Sequence, residues 1–290
     1  MNPKSFIKEN ILPVEANRYA KIIYYNLLLN NSLSRAAAGA VARVVDPARP
    51  STWEFSGFSQ NGEDGIIDHL LSGLKNLNKY FIEIGSGNGL ENNTAYLAHI
   101  RKFAGIQIEA DIELYDDALI TKTWLTETIN YFVNESTVVN ILEKVLHKNP
   151  DVFSIDIDGM DYYITKLLLE KGLRPKIIVC EYNSAFGPSR SLTIPYNPTF
   201  SMFNSDQPYL YYGVSLAGWK KLLEKYEYRF VTVESNGINA FFIKSGEFIS
   251  GFAGNIEKVE FKENMHQLRM FGKDHNGQFE MMNGLAFTEI

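Results

Sequence analysis

Tyr80-Phe-Ile-Glu-Ile-Gly85-Ser-Gly87-Asn-Gly89 decides how this chain is read: five residues of strand type run straight into three glycines spaced one residue apart. Glycine lets the backbone turn sharply and approach a ligand closely, because no Cβ stands in the way. The segment that follows, near Asn92-Asn-Thr94, reads as a helix start with free N–H groups and a positive dipole end. The plain alternative is a tight strand-to-helix turn with no ligand. The spacing is G-x-G-x-G. The dinucleotide fingerprint G-x-G-x-x-G needs a small residue where this chain has Leu90, which counts against NAD or FAD. Glu109 ends the next strand-like run, Ala104–Glu109, and a carboxylate there suits the two hydroxyls of a ribose.

Outward from this stretch, three more apolar runs follow: Ile129–Val133, Asp151–Asp156 and Lys176–Glu181. Amphipathic stretches lie between them, at Asn93–Arg101, Val138–His147 and Tyr163–Lys171. Strands alternating with helices predict a parallel sheet covered on both faces. After a helical pattern at Ser215–Tyr226, the runs Tyr228–Val233 and Ile238–Ile243 are separated by Glu-Ser-Asn-Gly, a hairpin signal. The expected fold class is therefore α/β: a Rossmann-like, seven-stranded sheet with a terminal antiparallel hairpin and helices on both faces.

Residues 1–50 read as an N-terminal helical extension that ends at Pro47 and Pro50, suited to covering a core or to self-association. Residues 51–246 read as the main domain, and 247–290 as a C-terminal extension of poor periodicity. Residues 183–212 hold Pro188, Pro195, Pro198 and Pro208 among many aromatics; this insertion follows the fifth strand and is expected over the carboxyl edge of the sheet.

The chain has 290 residues, with 28 Lys and Arg against 34 Asp and Glu, a formal net charge of −6. Phosphate binding needs a cationic footprint, so nucleic acid is not the expected partner. The single cysteine, Cys180, sits within a strand-like run and reads as a small core residue. No stretch approaches the ~18 apolar residues of a bilayer span, and Met1–Asn10 lacks the apolar region of a signal peptide. The expectation is a cytoplasmic protein.

Glu83-x-Gly85-x-Gly87-x-Gly89 together with Glu109 resembles motifs I and II of the S-adenosylmethionine-dependent methyltransferases. That resemblance implies a glycine loop against the methionine part of S-adenosylmethionine, Glu109 on the ribose, and Glu83 ordering the loop or the amino group. It also implies an adenine contact near Asn134 or Glu135. A narrower resemblance covers residues 58–245. Phe58-Ser-Gln60-Asn-Gly62-Glu-Asp64-Gly65, Asn93-Thr94, Asp156-Ile-Asp158-Gly159-x-Asp161-Tyr162, Glu181-Tyr182-Asn183 and Asn239-Ala-Phe-Phe242 are similar to the FkbM-like methyltransferases. It adds Gln60, Thr94 and Asp156 to the implied cofactor set and implies an acceptor hydroxyl on a sugar, glycan or glycosylated small molecule. Ser59-Gln60 serves equally as a helix cap and turn.

Asp156 and Asp158 are two apart, so a persisting strand points both to one side, and Glu181 ends the neighbouring strand. Like charges held close resist ionising together, so a proton, a cation or the cofactor's sulfonium must compensate. Oxygen-only ligands suit Mg²⁺ or another divalent cation. The strand-four end is also similar to that of the macrocin-type sugar O-methyltransferases. That similarity implies a metal at Asp158, Glu181 and Asn183, although Met160 is inserted before Asp161 and Glu181-Tyr182-Asn183 stands where that group has paired aspartates. Alternatively, Asp156 and Asp158 bind backbone amides or orient the cofactor. For the general base the candidates are Asp158 and Asp161, with His266 and His275 of the tail as lesser ones. Tyr182, Phe186, Tyr196, Phe200, Tyr209, Tyr211 and Tyr212 suit sugar faces or ordinary loop packing. Two rival readings remain: a non-catalytic binding protein on the same fold, and an NAD-linked oxidoreductase.

Overall fold

The computed structural model describes residues 14–290; the reading of Met1–Asn10 falls outside them. In chain order the main elements are α1 (Val14–Ala42), α2 (Glu63–Ser72), β1 (Tyr80–Ile84), α3 (Ala95–His99), β2 (Ala104–Glu109), α4 (Ile112–Thr121) and β3 (Thr126–Asn130). Then come α5 (Ile141–Lys144), β4 (Val152–Ile155), α6 (Asp161–Glu170), β5 (Ile177–Glu181), β6 (Leu192–Thr193), α7 (Leu216–Glu224), β7 (Tyr228–Val233) and β8 (Asn239–Lys244). The tail adds α8 (Met265–Phe271), α9 (His275–Met281) and β9 (Thr288–Glu289).

Seven strands form one Rossmann-like sheet in the order β3-β2-β1-β4-β5-β8-β7. The first five are parallel, and β8 runs antiparallel between β5 and β7. From β1 the chain adds strands first to one side and then to the other. The crevice of such a reversal lies beyond the carboxyl ends of β1 and β4. All five residues of β1 are buried, as a strand covered on both faces requires. Ile82 and Ile84 face the apolar layer that holds Trp219 and Phe242, while Phe81 faces the layer that holds Trp53 and Phe241. Each such side chain contributes roughly 1.5–3 kcal/mol by leaving water, which fixes the register of the strand that carries the glycine loop.

Three features differ from the sequence reading. First, β3 lies three residues upstream of the expected Ile129–Val133. The Asn130 amide donates to the carbonyls of Glu109 and Ala110, and the chain then leaves the sheet, so that Tyr131, Phe132 and Val133 line a cavity instead. Second, α4 lies outside the amphipathic stretches read from the sequence; Asp111 caps it by accepting from the N–H groups of Glu113 and Leu114. Third, the insertion and the tail are joined: β6 pairs with β9, and Phe186, Leu210 and Met282 share a small apolar cluster with Phe279 and Phe287.

The N-terminal helix α1 packs on α4, where Asp117 accepts from Lys21 at 2.7 Å and from the Tyr25 hydroxyl at 2.6 Å. Tyr19, Ile23 and Leu27 on its other side are exposed. Among the described residues no helix is long and apolar enough to cross a membrane.

Candidate active site

The three loop glycines have three different jobs. Gly85 has φ +84°, and a Cβ there would stand 1.7 Å from the carbonyl oxygen of Asp156. Only glycine lets β1 and β4 come this close at their ends. Gly87 has φ +55° and lines the cavity, and a Cβ on it would meet nothing within 4 Å. Its missing side chain therefore leaves room for a ligand. Gly89 departs from the expectation: it is not on the cavity wall, and at φ +74° its α-carbon packs against Ala118 of α4.

Glu109 faces the same cavity. One of its oxygens accepts from the Gly87 N–H at 2.7 Å and the other from the Asp111 N–H at 2.8 Å. The backbone thus fixes the carboxylate in place, and each oxygen keeps acceptor capacity for a hydroxyl.

Glu83 and Thr94 brace the loop from behind. The Glu83 carboxylate accepts from the Asn93 N–H at 2.9 Å and from the Thr94 hydroxyl at 2.5 Å, and burial pushes its pKa up to about 7. Thr94 is fully buried and does not reach the cavity, which corrects its implied place in the cofactor set. Asn134 is on the wall, but its side-chain oxygen is committed to a turn, accepting from both Ser136 groups and the Thr137 N–H. Gln60 is exposed on the wall. Ser59 works as a turn residue: its hydroxyl accepts from the Asp64 N–H, while Asp64 accepts from the N–H groups of Gly57, Phe58 and Ser59.

Strand β4 ends at Ile155, so pleat alternation alone does not align Asp156 with Asp158. The chain instead turns through Asp158 at φ +56°, a conformation that aspartate tolerates better than most residues. Asp161 holds this turn by accepting from the N–H groups of Ile157 and Gly159, both at 2.9 Å. It is fully buried and off the cavity wall, so its expected role as a base does not fit its position. Carboxylate oxygens of Asp156, Asp158 and Glu181 lie within 4.8 Å of one another. Burial, then the charges of Asp158 and Asp161, pushes Asp156 well above the usual carboxylate range. Burial, then Asp161 and Glu109, pushes Asp158 up to about 6. Glu181 is raised well above its usual range by burial, then by Asp156 and Asp158.

Asn183 does not join this group. Its amide nitrogen donates to the carbonyls of Leu210 and Tyr212, and its oxygen accepts from the Ala185 N–H and the Gln267 amide. With both ends engaged and the residue fully buried, it pins the insertion to the tail rather than offering a metal ligand.

The cavity measures about 730 Å³. Its far wall comes from the insertion and the tail: Pro198, Phe200, Met202, Phe203, Asn264 and His266. His266 rides on the first turn of α8, whose cap Asn264 donates its N–H to the Ser184 hydroxyl at 2.8 Å. Nothing local in the sequence links residue 266 to the sheet edge, so this histidine carries no signal of its own there. Of the seven aromatics singled out in the sequence, only Phe200 lines the cavity. Tyr182, Phe186 and Tyr212 are core residues, and the Tyr211 hydroxyl donates to the Ala286 carbonyl. His275 pairs with Glu263 at 2.9 Å instead. Among the described residues no lysine or arginine lines the cavity, whereas Glu91, Glu109, Asp111, Asp156, Asp158 and Glu181 all do.

No family model and no curated protein matches the chain. Among solved structures, the chain is similar to the O-methyltransferase TomG from Streptomyces achromogenes, in complex with S-adenosylmethionine. The identity is 14%, with 75% of this chain and 99% of that one covered, at a TM-score of 0.42. An O-methyltransferase from Bacillus cereus, in complex with S-adenosylhomocysteine, is 15% identical over 82% of this chain and 94% of that one, at a TM-score of 0.36. The methyltransferase PaMTH1 from Podospora anserina, bound to S-adenosylhomocysteine, is 17% identical over 58% and 72%, at a TM-score of 0.37.

Proposed function

We propose that the protein is an S-adenosylmethionine-dependent O-methyltransferase acting on a sugar or glycan hydroxyl. The observation that carries this reading is a nucleoside-sized cavity that joins an open glycine, a backbone-held Glu109 and five further acidic residues, with no lysine or arginine among the described residues. A sulfonium and an ammonium suit such a wall. The diphosphate of NAD does not, because its negative charge would face carboxylates in a partly dry space. This electrostatic mismatch counts against an NAD-linked oxidoreductase more strongly than Leu90 does.

In this reading Glu109 accepts from both ribose hydroxyls, Gly87 lies under the nucleoside, and Tyr131, Phe132 and Val133 flank the base beside the Asn134 turn. Methyl transfer is an in-line displacement on sulfur, so the protein's work is alignment, exclusion of water and removal of one proton. Asp158, held near a pKa of 6, is positioned to take that proton at neutral pH. Phe200 and Phe203 supply apolar faces for a sugar ring on the opposite wall.

Asp156, Asp158 and Glu181 also fit a divalent cation. All three are oxygen donors, they converge, and among the described residues no lysine or arginine of the cavity compensates them. Such an ion, when bound, would acidify the acceptor hydroxyl. Methyl transfer from radiolabelled S-adenosylmethionine to a panel of methyl glycosides tests the reading, run with EDTA and with added Mg²⁺. Substituting Asp158→Ala is expected to keep cofactor binding and abolish transfer. Binding without transfer by the unaltered protein on every glycoside would instead favour a non-catalytic binding protein.

A further inference from the structure

Helix α1 carries two stripes on opposite sides. One of them meets the domain through Tyr25, Ser32 and Gly39, seven residues apart, with Ala36 between the last two. The contact is close: a Cβ on Gly39 would stand 2.9 Å from Phe55, and one on Gly57 would stand 2.4 Å from Ala36. Residues two apart on a helix lie about 200° apart around its axis. The positions two removed from Tyr25, Ser32 and Gly39, in either direction, therefore point away from the domain. They hold Ile23, Leu27, Asn30, Ser34, Ala37 and Val41.

This outer stripe is open. Ile23 is 61% exposed, Leu27 58% and Val41 87%, and Asn30, Ser34 and Ala37 are exposed as well. Its spacing alternates between four and three residues, the repeat with which two helices wrap around each other. From Asn17 to Ala42 the only charged side chains are Arg18, Lys21 and Arg35, and Lys21 is paired with Asp117. A helix side that merely meets water carries charged and polar residues rather than a second apolar repeat.

We propose that this stripe pairs with the same stripe of a second copy of this chain, the two helices running antiparallel. In that direction the seam matches itself. Ile23 faces Val41 of the second copy, Leu27 faces Ala37, and Asn30 faces Ser34. The larger half of each seam lies on the smaller half of the other, as facing layers must to fill space. The polar residues meet each other at the centre, where a polar layer in an apolar seam fixes the register. Parallel helices would instead stack Leu27 on Leu27 and Ala37 on Ala37, and would align two helix dipoles that the antiparallel pair opposes. A lipid surface also covers apolar stripes flanked by lysine and arginine, but Asn30 and Ser34 would lose water there without gaining a partner. Helix α1 lines no part of the main cavity, so this pairing does not depend on the methyl-transfer reading.

Sedimentation velocity of the unaltered protein over a range of concentrations is expected to show a dimer. Leu27→Glu changes an exposed side chain, should keep its circular dichroism spectrum, and should sediment as a monomer. An unaltered protein that stays monomeric at its highest attainable concentration overturns the proposal; binding of that monomer to vesicles of phosphatidylcholine and phosphatidylserine would give the stripe to a lipid surface instead. A dimer that persists in Leu27→Glu overturns the choice of face. Cysteine crosslinking reads the direction. Leu27→Cys combined with Ala37→Cys should yield a disulfide-linked dimer on mild oxidation, whereas Leu27→Cys alone should not. Crosslinking by the single variant, or none by the double one, overturns the antiparallel seam. The native Cys180 is buried and stays out of this reaction.

Discussion

The two walls of the cavity are built by different means. The wall at Gly85, Gly87 and Glu109 is set by backbone: N–H groups hold the Glu109 carboxylate, and two glycines leave out their Cβ atoms. The facing wall at Phe200, Phe203, Asn264 and His266 is made of side chains, brought together by packing between the insertion and the tail. The first wall suits a ligand that never changes, and the second suits one that differs between related proteins, because side chains are replaced without refolding the sheet.

Four predictions test this contrast, from the largest expected effect to the smallest. Gly85→Ala should abolish folding, since the new Cβ would overlap the Asp156 carbonyl; a cooperative thermal transition in that variant would refute the close approach. Gly87→Ala is the matched control. The strain of a positive φ costs about 1–2 kcal/mol, so the protein should fold, yet S-adenosylhomocysteine affinity should drop at least tenfold because the Cβ enters the open cradle.

The carboxylate cluster should make the ligand-free protein less stable as pH rises. Asp158 has a pKa of about 6 in the folded chain against an ordinary 3.8, so the folded state keeps a proton that the unfolded state has lost. Its contribution is fully present below about 3.8 and is lost as pH rises through about 6. Asp158→Asn should flatten that slope and stabilise the ligand-free protein at pH 7 by on the order of 1 kcal/mol, as read by melting temperature across pH 4 to 8. A steeper slope in the variant would contradict the assignment. The smallest effect belongs to Phe203→Ala on the opposite wall. Phe203 is 57% exposed, so stability should change by less than about 0.5 kcal/mol and cofactor affinity should stay the same, while transfer to an acceptor slows.

The same contrast explains what the sequence makes legible. The glycine loop, Glu109 and the number of strands are written locally, as strands that end in glycine, in an acid or in a hairpin turn. Asp156, Asp158 and Glu181 were legible for the same reason, since each ends or follows a strand. Thr94, Gly89, Asp161 and Asn183 carried the right residue types, but their hydrogen bonds and packing turn inward. Choosing between bracing a loop and facing a ligand depends on tertiary direction, which spacing does not encode. The tail was the least legible part. His266 reaches the cavity only because Asn264 is fastened to Ser184, some 80 positions earlier, and because β9 pairs with β6.

The most direct measurement is a crystal structure of the protein with S-adenosylhomocysteine bound. Both ribose hydroxyls should lie within hydrogen-bonding distance of Glu109, with the sulfur between Gly87 and Asp158. A nucleoside bound elsewhere, with the Glu109 carboxylate still facing an empty crevice, would contradict the assignment of this cavity as the cofactor site.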